Sequence, residues 1–536
     1  MEESEALKEQ VEKLILENDR VVAENVQIRA ENELLRQKID ILIKRIFGSS
    51  AEKIDLNQLL LFDAQAAKKL EGDAPRELED NTTSPVPKKP RAKRQNREAT
   101  LPADLPTEEQ TLIPDEVKNK PELFRQVSEE VTTKLDYSPA FFKKIIIRRP
   151  KFVKKLTTFA DPAADQFFIA PLPPSLKERS LLTPRLAAQI ATARFCDHQP
   201  YYRQEQHFLM RHGVHLPRNT MSQWMGELSA DYLSGIYRAM HQQMLGQNYL
   251  QVDETPIEYL VPGKGKTAQG YLWTLSRPDL KTADGRGDIL YQWHPSRAAK
   301  CLQNLLSTPE KTFSGILQCD GYQAYESHRR ETENIELIAC WAHVRRKFFE
   351  AKDQQPKLTG WFLNQIKNLY QIEEKLRDKG ASPAQREAVR HWQSLPIYRR
   401  LGKALWKIKA KRSLLPKSLL GKAIDYALGQ WTKLEKCFTD GRLEIDNNLI
   451  ENGIRPTKLG AKNWLFMGSE EAGQSNAIWF TVIETCHRRK IDPWKYLVWI
   501  FEELPKIKVT AETFASYTPA AYAEKLRPSR HAKQTA

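Results

Sequence analysis

The chain has 536 residues, of which 40% are hydrophobic and 28% charged, and its formal net charge at pH 7 is +15. This length exceeds one compact domain, since a domain usually holds about 100–200 residues, and the positive charge favours a polyanionic partner such as nucleic acid. The polar start differs from a signal peptide and no apolar run approaches the roughly 18 residues of a membrane span, so we expect a cytoplasmic protein without membrane contact.

A seven-residue repeat of apolar side chains runs through residues 7–46. Its alternating steps of four and three residues are typical of a coiled-coil seam. Asn18, Asn25 and Asn32 share one core position, where paired amides fix the register and favour parallel chains. We therefore expect residues 1–47 to form a parallel coiled coil that makes the protein a homodimer or a higher oligomer. An amphipathic helix packed on its own domain is the alternative.

The periodicity fades over residues 48–100, where proline and charge accumulate, so we predict a disordered basic linker. The sequence PKKPRAKRQNRE concentrates positive charge on six side chains: Lys88, Lys89, Arg91, Lys93, Arg94 and Arg97. These side chains either contact DNA phosphates or form a solvated run. Both interpretations are open from the sequence.

Two small modules are predicted between the linker and the first long strand. Residues 101–175 alternate apolar and polar positions around prolines, which indicates a β-rich module. Residues 176–240 carry three helical segments, the last two joined by a short turn at Gly213, as in a helix-turn-helix. Side chains at the start of the last helix would face a DNA groove: Arg218, Asn219, Thr220, Ser222 and Gln223. A plain helical bundle fits the same pattern.

Strand signals dominate residues 241–490. Three β-branched and aromatic runs are followed by a helix, a fourth strand, further elements and a fifth strand, an order that fits a ribonuclease H-like mixed sheet. A charged helical stretch at about residues 345–440 is long enough to be an inserted domain, and residues 491–536 form a C-terminal helical element and tail. The predicted fold class is therefore an α+β multidomain protein.

Three acidic residues stand in distinctive settings: Asp253 in LQVDETPIEY, Asp320 in LQCDGYQAY and Glu451 in EIDNNLIENGIRP. The first two end apolar strand runs, where a carboxylate is costly to bury unless it is paired, hydrogen-bonded or metal-bound. Carboxylates on neighbouring strands and on a helix behind the sheet offer the oxygen ligands that Mg²⁺ or Mn²⁺ prefers. Two such ions, about 3.5–4 Å apart, would support phosphoryl transfer.

Each of these carboxylates also has a structural interpretation. Asp253 and Asp320 could each cap a turn, since a Thr-Pro pair or a glycine follows closely. Glu451 could close a capping box with Asn448 or form an ion pair with Arg455. The local pattern leaves these alternatives open.

The chain resembles the insertion sequence 66 family of DDE transposases along most of its length. The stretches that carry the resemblance are IKRIFGSSAEK, LPADLP, APLPP, ARFCDHQPYYRQEQ, GVHLPRNTMSQWMGEL, VDETP, LQCDGYQAY, CWAHVRRKF, GRLEIDNNLIENGIRPTKLGAKNWLFMGSEEAG and IDPWKYL. The resemblance implies that Asp253, Asp320 and Glu451 are the catalytic, metal-binding carboxylates. It also implies a helical insertion before Glu451, the inverted-repeat ends of the element as substrate, and accessory proteins of the same element as partners.

Zinc is not expected. Family members often carry a small cysteine zinc module after the basic linker, but residues 101–175 contain no cysteine. The six cysteines of the chain stand singly, without a CxxC pair. The cofactors that we expect are the two Mg²⁺ or Mn²⁺ ions that the three carboxylates would bind.

A run of cations follows the glutamate and ends on an aromatic residue: Arg455, Lys458, Lys462 and Trp464. The cations would hold backbone phosphates, and Trp464 would stack on an unpaired base, although a buried tryptophan is the commoner alternative. His343, in CWAHVRRKF after the fifth strand, is a candidate for substrate positioning or a structural histidine.

These patterns predict a DNA transposase that nicks the element's ends and joins the freed 3′-hydroxyls to target DNA. Two alternatives are open. A structure-specific nuclease with the same core would cleave DNA without joining it. A catalytically inactive DNA-binding regulator would use only the coil and the helix-turn-helix.

Overall fold

The computed structural model describes residues 17, 18, 20–25, 142, 151–153, 167–169, 174–178 and 180–526, except 262, 264, 280, 281, 283, 284, 333 and 412–414. The chain divides into two compact units, one formed by residues 1–53 and 150–536 and the other by residues 54–149. The elements named below all belong to the first unit. They form a mixed α+β structure, which confirms the broad fold class.

Several predicted features lie outside the described residues. They are most of the coiled coil, most of the β-rich module and the whole basic linker with Lys88, Lys89, Arg91, Lys93, Arg94 and Arg97. Within the coil, residues 17, 18 and 20–25 are helical. Within the module, β1 (Lys151–Val153) pairs with β2 (Phe167–Ile169) in antiparallel fashion. Dimerisation through the coil and DNA contact by the linker stay predictions.

The helices before the main sheet are α1 (Pro184–Phe195), α2 (Tyr201–His212), α3 (Arg218–Leu228) and α4 (Ser234–Leu245). The Thr183 side chain caps α1, which has proline in its first turn, where no backbone N–H is needed. Gly213 ends α2 with a φ of 63°, and this left-handed conformation turns the chain toward α3. The helix-turn-helix role of α2 and α3 stays a prediction.

A five-stranded mixed sheet follows: β3 (Tyr249–Leu260), β4 (Thr267–Pro278), β5 (Arg286–His294), β6 (Gly315–Cys319) and β7 (Ile335–Ala339). The strand order is β5-β4-β3-β6-β7; the β3–β4 and β4–β5 pairs are antiparallel, and the β3–β6 and β6–β7 pairs are parallel. Helix α5 (Ala299–Leu306) precedes β6, and α6 (Gln323–Glu331) precedes β7. The strands and the first connecting helix thus follow the predicted order.

The described helices between β7 and the glutamate-bearing helix are α7 (Trp341–Glu350), α8 (Pro356–Asp378), α9 (Pro383–Val389), α10 (Leu395–Lys409), α11 (Leu419–Gly429) and α12 (Trp431–Thr439). Of these helices, α7, α8, α10, α11 and α12 share one apolar core with the end of β7. In that core the rings of Tyr398 and Trp431 stack with centroids 4.3 Å apart. A π-helical turn at Arg390–Ser394 joins α9 to α10 without a break.

Arg390 is fully buried and connects this helical region to the segment that leads to the candidate site. Its guanidinium donates to both carboxylate oxygens of Glu373, at 2.7 and 2.6 Å. It also donates to the backbone oxygens of Cys437, Asp440 and Leu443. Because one side chain satisfies several loop carbonyls, the end of α12 and the loop after it are held in one position.

The chain ends in α13 (Asn448–Trp464), α14 (Glu470–Arg488), α15 (Pro493–Glu503), α16 (Ala511–Ala515) and α17 (Pro519–Lys525). Helix α13 lies close against the sheet, since a Cβ at Gly453 would collide with Ile289. The Tyr291 hydroxyl donates to the Gly453 backbone oxygen at 2.5 Å and fixes the start of α13. None of the described helices is long and apolar enough to span a bilayer.

Candidate active site

Asp253 and Asp320 lie on neighbouring parallel strands. Asp253 belongs to β3, and Asp320 directly follows β6. The strands pair Gln251 with Gln318, so the two aspartates come level two residues further along. Adjacent strands lie about 4.8 Å apart, a separation that allows two carboxylates to share a cation.

Buried glutamines connect these strands to the segment before the third carboxylate. Gln251 donates to the side-chain oxygen of Gln318 and to the backbone oxygen of Asp446, both at 2.8 Å. Gln318 donates to the backbone oxygen of Glu444 at 3.0 Å. Buried amides need hydrogen-bond partners, so this network holds residues 444–446 beside β3 and β6.

Glu451 lies in the first turn of α13. The N-cap residue Asn447 makes no side-chain capping bond, and the Asn448 amide instead donates to the Asp446 carboxylate at 2.8 Å. The capping-box alternative for Glu451 is therefore wrong. The position of Glu451 leaves its carboxylate free for a role other than capping the helix.

Of the two aspartates that could cap a turn, only Asp320 does so in the structure. Strand β3 continues through Pro256 to Leu260, so Asp253 does not cap a turn and that alternative is wrong. One carboxylate oxygen of Asp253 accepts the N–H of Glu254 at 3.0 Å. Asp320 does stabilise a turn, because its carboxylate accepts the N–H of Tyr322 at 2.9 Å. That bond occupies one oxygen and leaves the other for a ligand.

The electrostatics of the site link the three carboxylates. Burial raises the pKa of Asp253 well above its usual range, and neighbouring acids, first Glu451 and also Asp320, raise it further. Burial raises the pKa of Glu451 to about 7, although nearby arginines oppose the shift. Burial also raises the pKa of Asp320. Burial is the main cause of all three shifts, and the effect of Glu451 and Asp320 on Asp253 shows that the three carboxylates lie close enough to interact.

The donor atoms fit Mg²⁺ or Mn²⁺. The Oε1 atom of Glu451 is buried and accepts no hydrogen bond from the part of the chain that the structure describes. Carboxylate oxygens are the ligands that these ions prefer. Among the described residues, however, no three Asp, Glu, His or Cys side chains are arranged to hold an ion together. The Asp253 carboxylate accepts the N–H of Glu254, the Asp320 carboxylate accepts the N–H of Tyr322, and the Glu451 carboxylate lies beside Arg346.

Two side chains of α7 face Glu451. A guanidinium nitrogen of Arg346 lies 3.6 Å from one carboxylate oxygen, and the Nε2 atom of His343 lies 3.9 Å from the other. Burial, with smaller effects from Arg346 and Lys347, lowers the pKa of His343 to about 3, so the imidazole is neutral at pH 7. The structure thus brings His343 to the acidic site, and its role in substrate positioning stays a prediction.

Glu254 is a candidate that the sequence analysis did not identify. Its side chain is only 1% exposed, and one of its oxygens accepts a bond of 2.6 Å from Arg297. The Tyr325 hydroxyl donates to the other oxygen. Arg297 also bears on Asp320, because its charge opposes the rise in the pKa of that carboxyl. The sequence signal was the second acid of VDETP, but its partners lie far away along the chain.

The cationic run after Glu451 lies on α13 beside β3. The Lys458 ammonium donates to the Pro256 backbone oxygen at 2.5 Å, and the charge of Arg455 opposes the rise in the pKa of Glu451. Lys462 is exposed. These placements put Arg455 near Glu451 and Lys458 against β3.

Trp464, at the end of α13, is half-buried rather than open for stacking. The guanidinium of Arg194 lies 4.9 Å from its ring centroid. This contact gives the indole a cation–π partner within the protein. Base stacking by Trp464 therefore stays a prediction, and the packed-tryptophan alternative has the structural support.

The predicted groove-facing side chains Arg218, Asn219 and Gln223 are exposed on α3. The contacts that the structure shows for them run to α2 and within α3. The Arg218 guanidinium lies 5.7 Å from the ring centroid of Tyr202, and Gln223 donates to Glu227 at 2.9 Å. These residues thus form a polar surface on the helical layer, apart from the contacts of the acidic site.

Comparison with known proteins identifies two matching family models. Residues 179–475 match the model described as "Transposase IS66 family". Residues 34–109 match the model described as "Transposase C of IS166 homeodomain". The first match contains all three carboxylates and every strand of the five-stranded sheet.

Two similar curated proteins come from Sinorhizobium fredii (strain NBRC 101917 / NGR234). The uncharacterized protein y4qI is 34% identical over 424 residues, which cover 75% of this chain and 71% of that protein. The uncharacterized protein y4jD is 29% identical over 405 residues, which cover 74% of this chain and 75% of that protein.

Proposed function

Because this chain belongs to the IS66 transposase family, we propose that it cuts and joins DNA at an acidic site built from Asp253, Asp320 and Glu451. It nicks the ends of a mobile element and joins the freed 3′-hydroxyls to target DNA. The observation that carries the proposal is geometric: Asp253 and Asp320 come level on neighbouring parallel strands, and Glu451 in the first turn of α13 lies close enough to raise the pKa of Asp253.

We assign the sheet to the ribonuclease H-like fold. Its support is the arrangement of three antiparallel strands followed by two strands parallel to the first. In this arrangement β3 is central, so an acid on β3 has an acid on β6 on one side. Helix α13 supplies the third carboxylate. The sequence separates these residues widely, and the fold provides a reason for them to act together.

The three carboxylates would hold two Mg²⁺ or Mn²⁺ ions, which when bound activate a water or 3′-hydroxyl and stabilise the leaving oxygen. Arg346 and Arg297 lie beside the acids and would hold DNA phosphates against them. Glu254 keeps Arg297 in place. The neutral imidazole of His343 would orient the substrate by hydrogen bonding rather than by charge.

The proposed partners are the element's inverted-repeat ends and target DNA. Arg218, Asn219 and Gln223 would bind the ends, and Arg455, Lys458 and Lys462 would bind phosphates next to the acids. A second copy would pair through the coil, and accessory proteins of the same element would assist. Neutralising the linker cations Lys88, Lys89, Arg91, Lys93, Arg94 and Arg97 should lower the salt slope of DNA binding by about 0.9 per lost phosphate contact.

Asp320→Asn tests the proposal on a supercoiled plasmid that carries the element's ends, with Mg²⁺ present. Cleavage and joining should fall by at least about a thousandfold, since a carboxylate that supports the reaction has lost its charge. DNA affinity should stay equal or rise slightly, because a negative charge near phosphate is gone. Asp353→Asn is the matched control, since it removes an exposed carboxylate outside the site.

Comparable cleavage by Asp320→Asn would refute the active-site assignment. Cleavage by the wild-type protein without a joined product would support the nuclease alternative. DNA binding without any Mg²⁺-dependent cleavage would support the inactive regulator.

A further inference from the structure

The helical region before the site contains a long stretch without acids. Residues 388–424 include no aspartate or glutamate, although the chain has 68 acids among 536 residues. The same stretch holds ten cations: Arg390, Arg399, Arg400, Lys403, Lys407, Lys409, Lys411, Arg412, Lys417 and Lys422. Arg390 is buried in its pairing with Glu373, but the excess of the other cations over acids makes a local positive field that attracts a polyanion.

Two tryptophans stand out from the same stretch. Trp392 is 79% exposed and Trp406 is 59% exposed, although tryptophan is among the more buried residue types. Trp392, Arg399, Lys403 and Trp406 are all exposed, whereas the residues that alternate with them are buried, so the four share the outer side of the continuous helical segment. We call these four residues the tryptophan face.

The tryptophan face is not needed for packing the helix. The opposite side of α10 is buried through Leu401, Leu405 and Tyr398, the last of which stacks on Trp431. A helix fixed by one side can present the other to a ligand without rearranging. The indoles therefore project from a rigid support.

The cations of the tryptophan face are available for a ligand. Within the described residues Arg399 and Lys403 have no ion-pair partner, whereas Lys409 pairs with Asp425 at 3.0 Å. Phosphates bind such cations by displacing counterions. A second copy of this chain is disfavoured as the occupant, because two such surfaces would bring like charges together.

We propose that the tryptophan face binds single-stranded DNA, an inference that rests on the proposed action on DNA ends. Exposed indoles stack on bases, and bases are open to stacking only where the strands are unpaired. Arg399 and Lys403 bind the phosphates between the two stacked bases. The tryptophans are separated by about 21 Å along the helix, from about 1.5 Å per residue, which leaves room for several nucleotides.

The test is fluorescence anisotropy with the full chain, a labelled oligothymidylate and a labelled duplex of equal length, in chelator so that no cleavage occurs. The double variant Trp392→Ala/Trp406→Ala should bind the single strand at least about tenfold more weakly, because two stacking contacts are lost. Duplex affinity should change little. Arg399→Ala/Lys403→Ala should lower the salt slope for the single strand by about 1.4, from about 0.7 per contact.

Two matched variants control for general surface effects. Leu181→Ala/Met210→Ala removes exposed apolar side chains elsewhere, and Lys375→Ala/Lys379→Ala removes two exposed cations, one within α8 and one directly after it. Both should bind the single strand like the wild-type protein. Circular dichroism of each variant shows whether the helices are retained.

Unchanged single-strand affinity in the double tryptophan variant would overturn the inference. An equal loss for duplex and single strand would assign the face to duplex DNA and overturn it as stated. A loss of self-association by the tryptophan variant, with DNA affinity intact, would assign the face to a second copy. If the wild-type protein binds and cleaves DNA while the variants match it, only this inference fails and the proposed function stands.

Discussion

The structure fully buries an acid in the helical region and partly buries the acids of the candidate active site, and it shifts their pKa values in opposite directions. In the helical region, burial alone would raise the pKa of Glu373, but Arg390 and Arg386 lower it below its usual value. At the candidate active site, burial raises the pKa of Asp253, and the charge of Glu451 raises it further. One buried acid is neutralised within the protein, and the other lies among further acids.

We interpret Glu373 as a structural acid, and we propose a functional role for the acids of the candidate active site. Burying an ion costs several kcal/mol unless a partner compensates it, so Glu373 needs its arginines for the helices to pack. The acids of the candidate active site keep part of the free-energy cost of burying charge in the folded protein. A divalent cation would remove it, and the site would thereby gain affinity for the cation. The predictions below test whether the two regions differ in this way.

The largest effect on stability is expected in the helical region. Arg390→Met should lower the free energy of unfolding by about 3–5 kcal/mol, because Glu373 would remain buried without its main partner. Urea denaturation followed by circular dichroism measures this change. The control Arg399→Met, on the exposed side of the same continuous helix, should stay within about 0.5 kcal/mol of wild type. Wild-type stability of Arg390→Met would erase the contrast between the regions.

A smaller effect on stability, with a defined pH dependence, is expected from Glu451 in the candidate active site. The pKa of Glu451 rises from 4.5 to about 7 on folding, so its contribution to stability is present below pH 4.5 and lost as the pH rises through 7. Without divalent ions, wild-type stability should therefore fall by up to about 3 kcal/mol relative to Glu451→Gln across that window. Urea denaturation in chelator at several pH values measures this.

The exposed acid of the same strand supplies a control for the pH experiment. Glu258→Gln should keep the wild-type pH dependence, because Glu258 is exposed. If the free energies of unfolding of Glu451→Gln and wild type change in parallel with pH, folding does not raise the pKa of Glu451 and this prediction is wrong.

The smallest effect is expected at Glu254, the acid of the site that pairs with Arg297. Glu254→Gln should raise the KM for DNA cleavage about tenfold, equivalent to about 1.4 kcal/mol, while kcat changes little, since Arg297 loses the charge that holds it. Steady-state cleavage assays separate the two constants. Glu258→Gln again serves as the control. A fall in kcat at constant KM would show that Glu254 belongs with the catalytic acids.

Local sequence patterns were sufficient to predict the strands but not where each strand ends. Asp320 directly follows β6, as its apolar run predicted, whereas Asp253 lies within β3, which continues to Leu260. Strand alternation and turn residues act over a few positions, so they can be read without knowing the fold. The catalytic role of the acids stays a prediction.

The side chains that contact the acids could not be predicted from the sequence, because they come close to them only in the folded chain. Arg297 reaches Glu254 across 43 positions, and Arg390 reaches Glu373 across 17 positions and a change of helix. The packing of Trp464 on Arg194 joins the end of α13 to the first helix. No periodicity connects such pairs, and that is why the sequence left both stacking and burial open for Trp464.

Calorimetric titration of Mn²⁺ into the full chain tests the central claim most directly, with Asp253→Asn/Asp320→Asn/Glu451→Gln as the comparison. The account predicts that the wild-type protein binds Mn²⁺ with release of protons, since acids with raised pKa must ionise to hold the ion. The triple variant should lose this binding while remaining at least as stable as wild type in urea. Equal Mn²⁺ affinity in the two proteins would contradict the account.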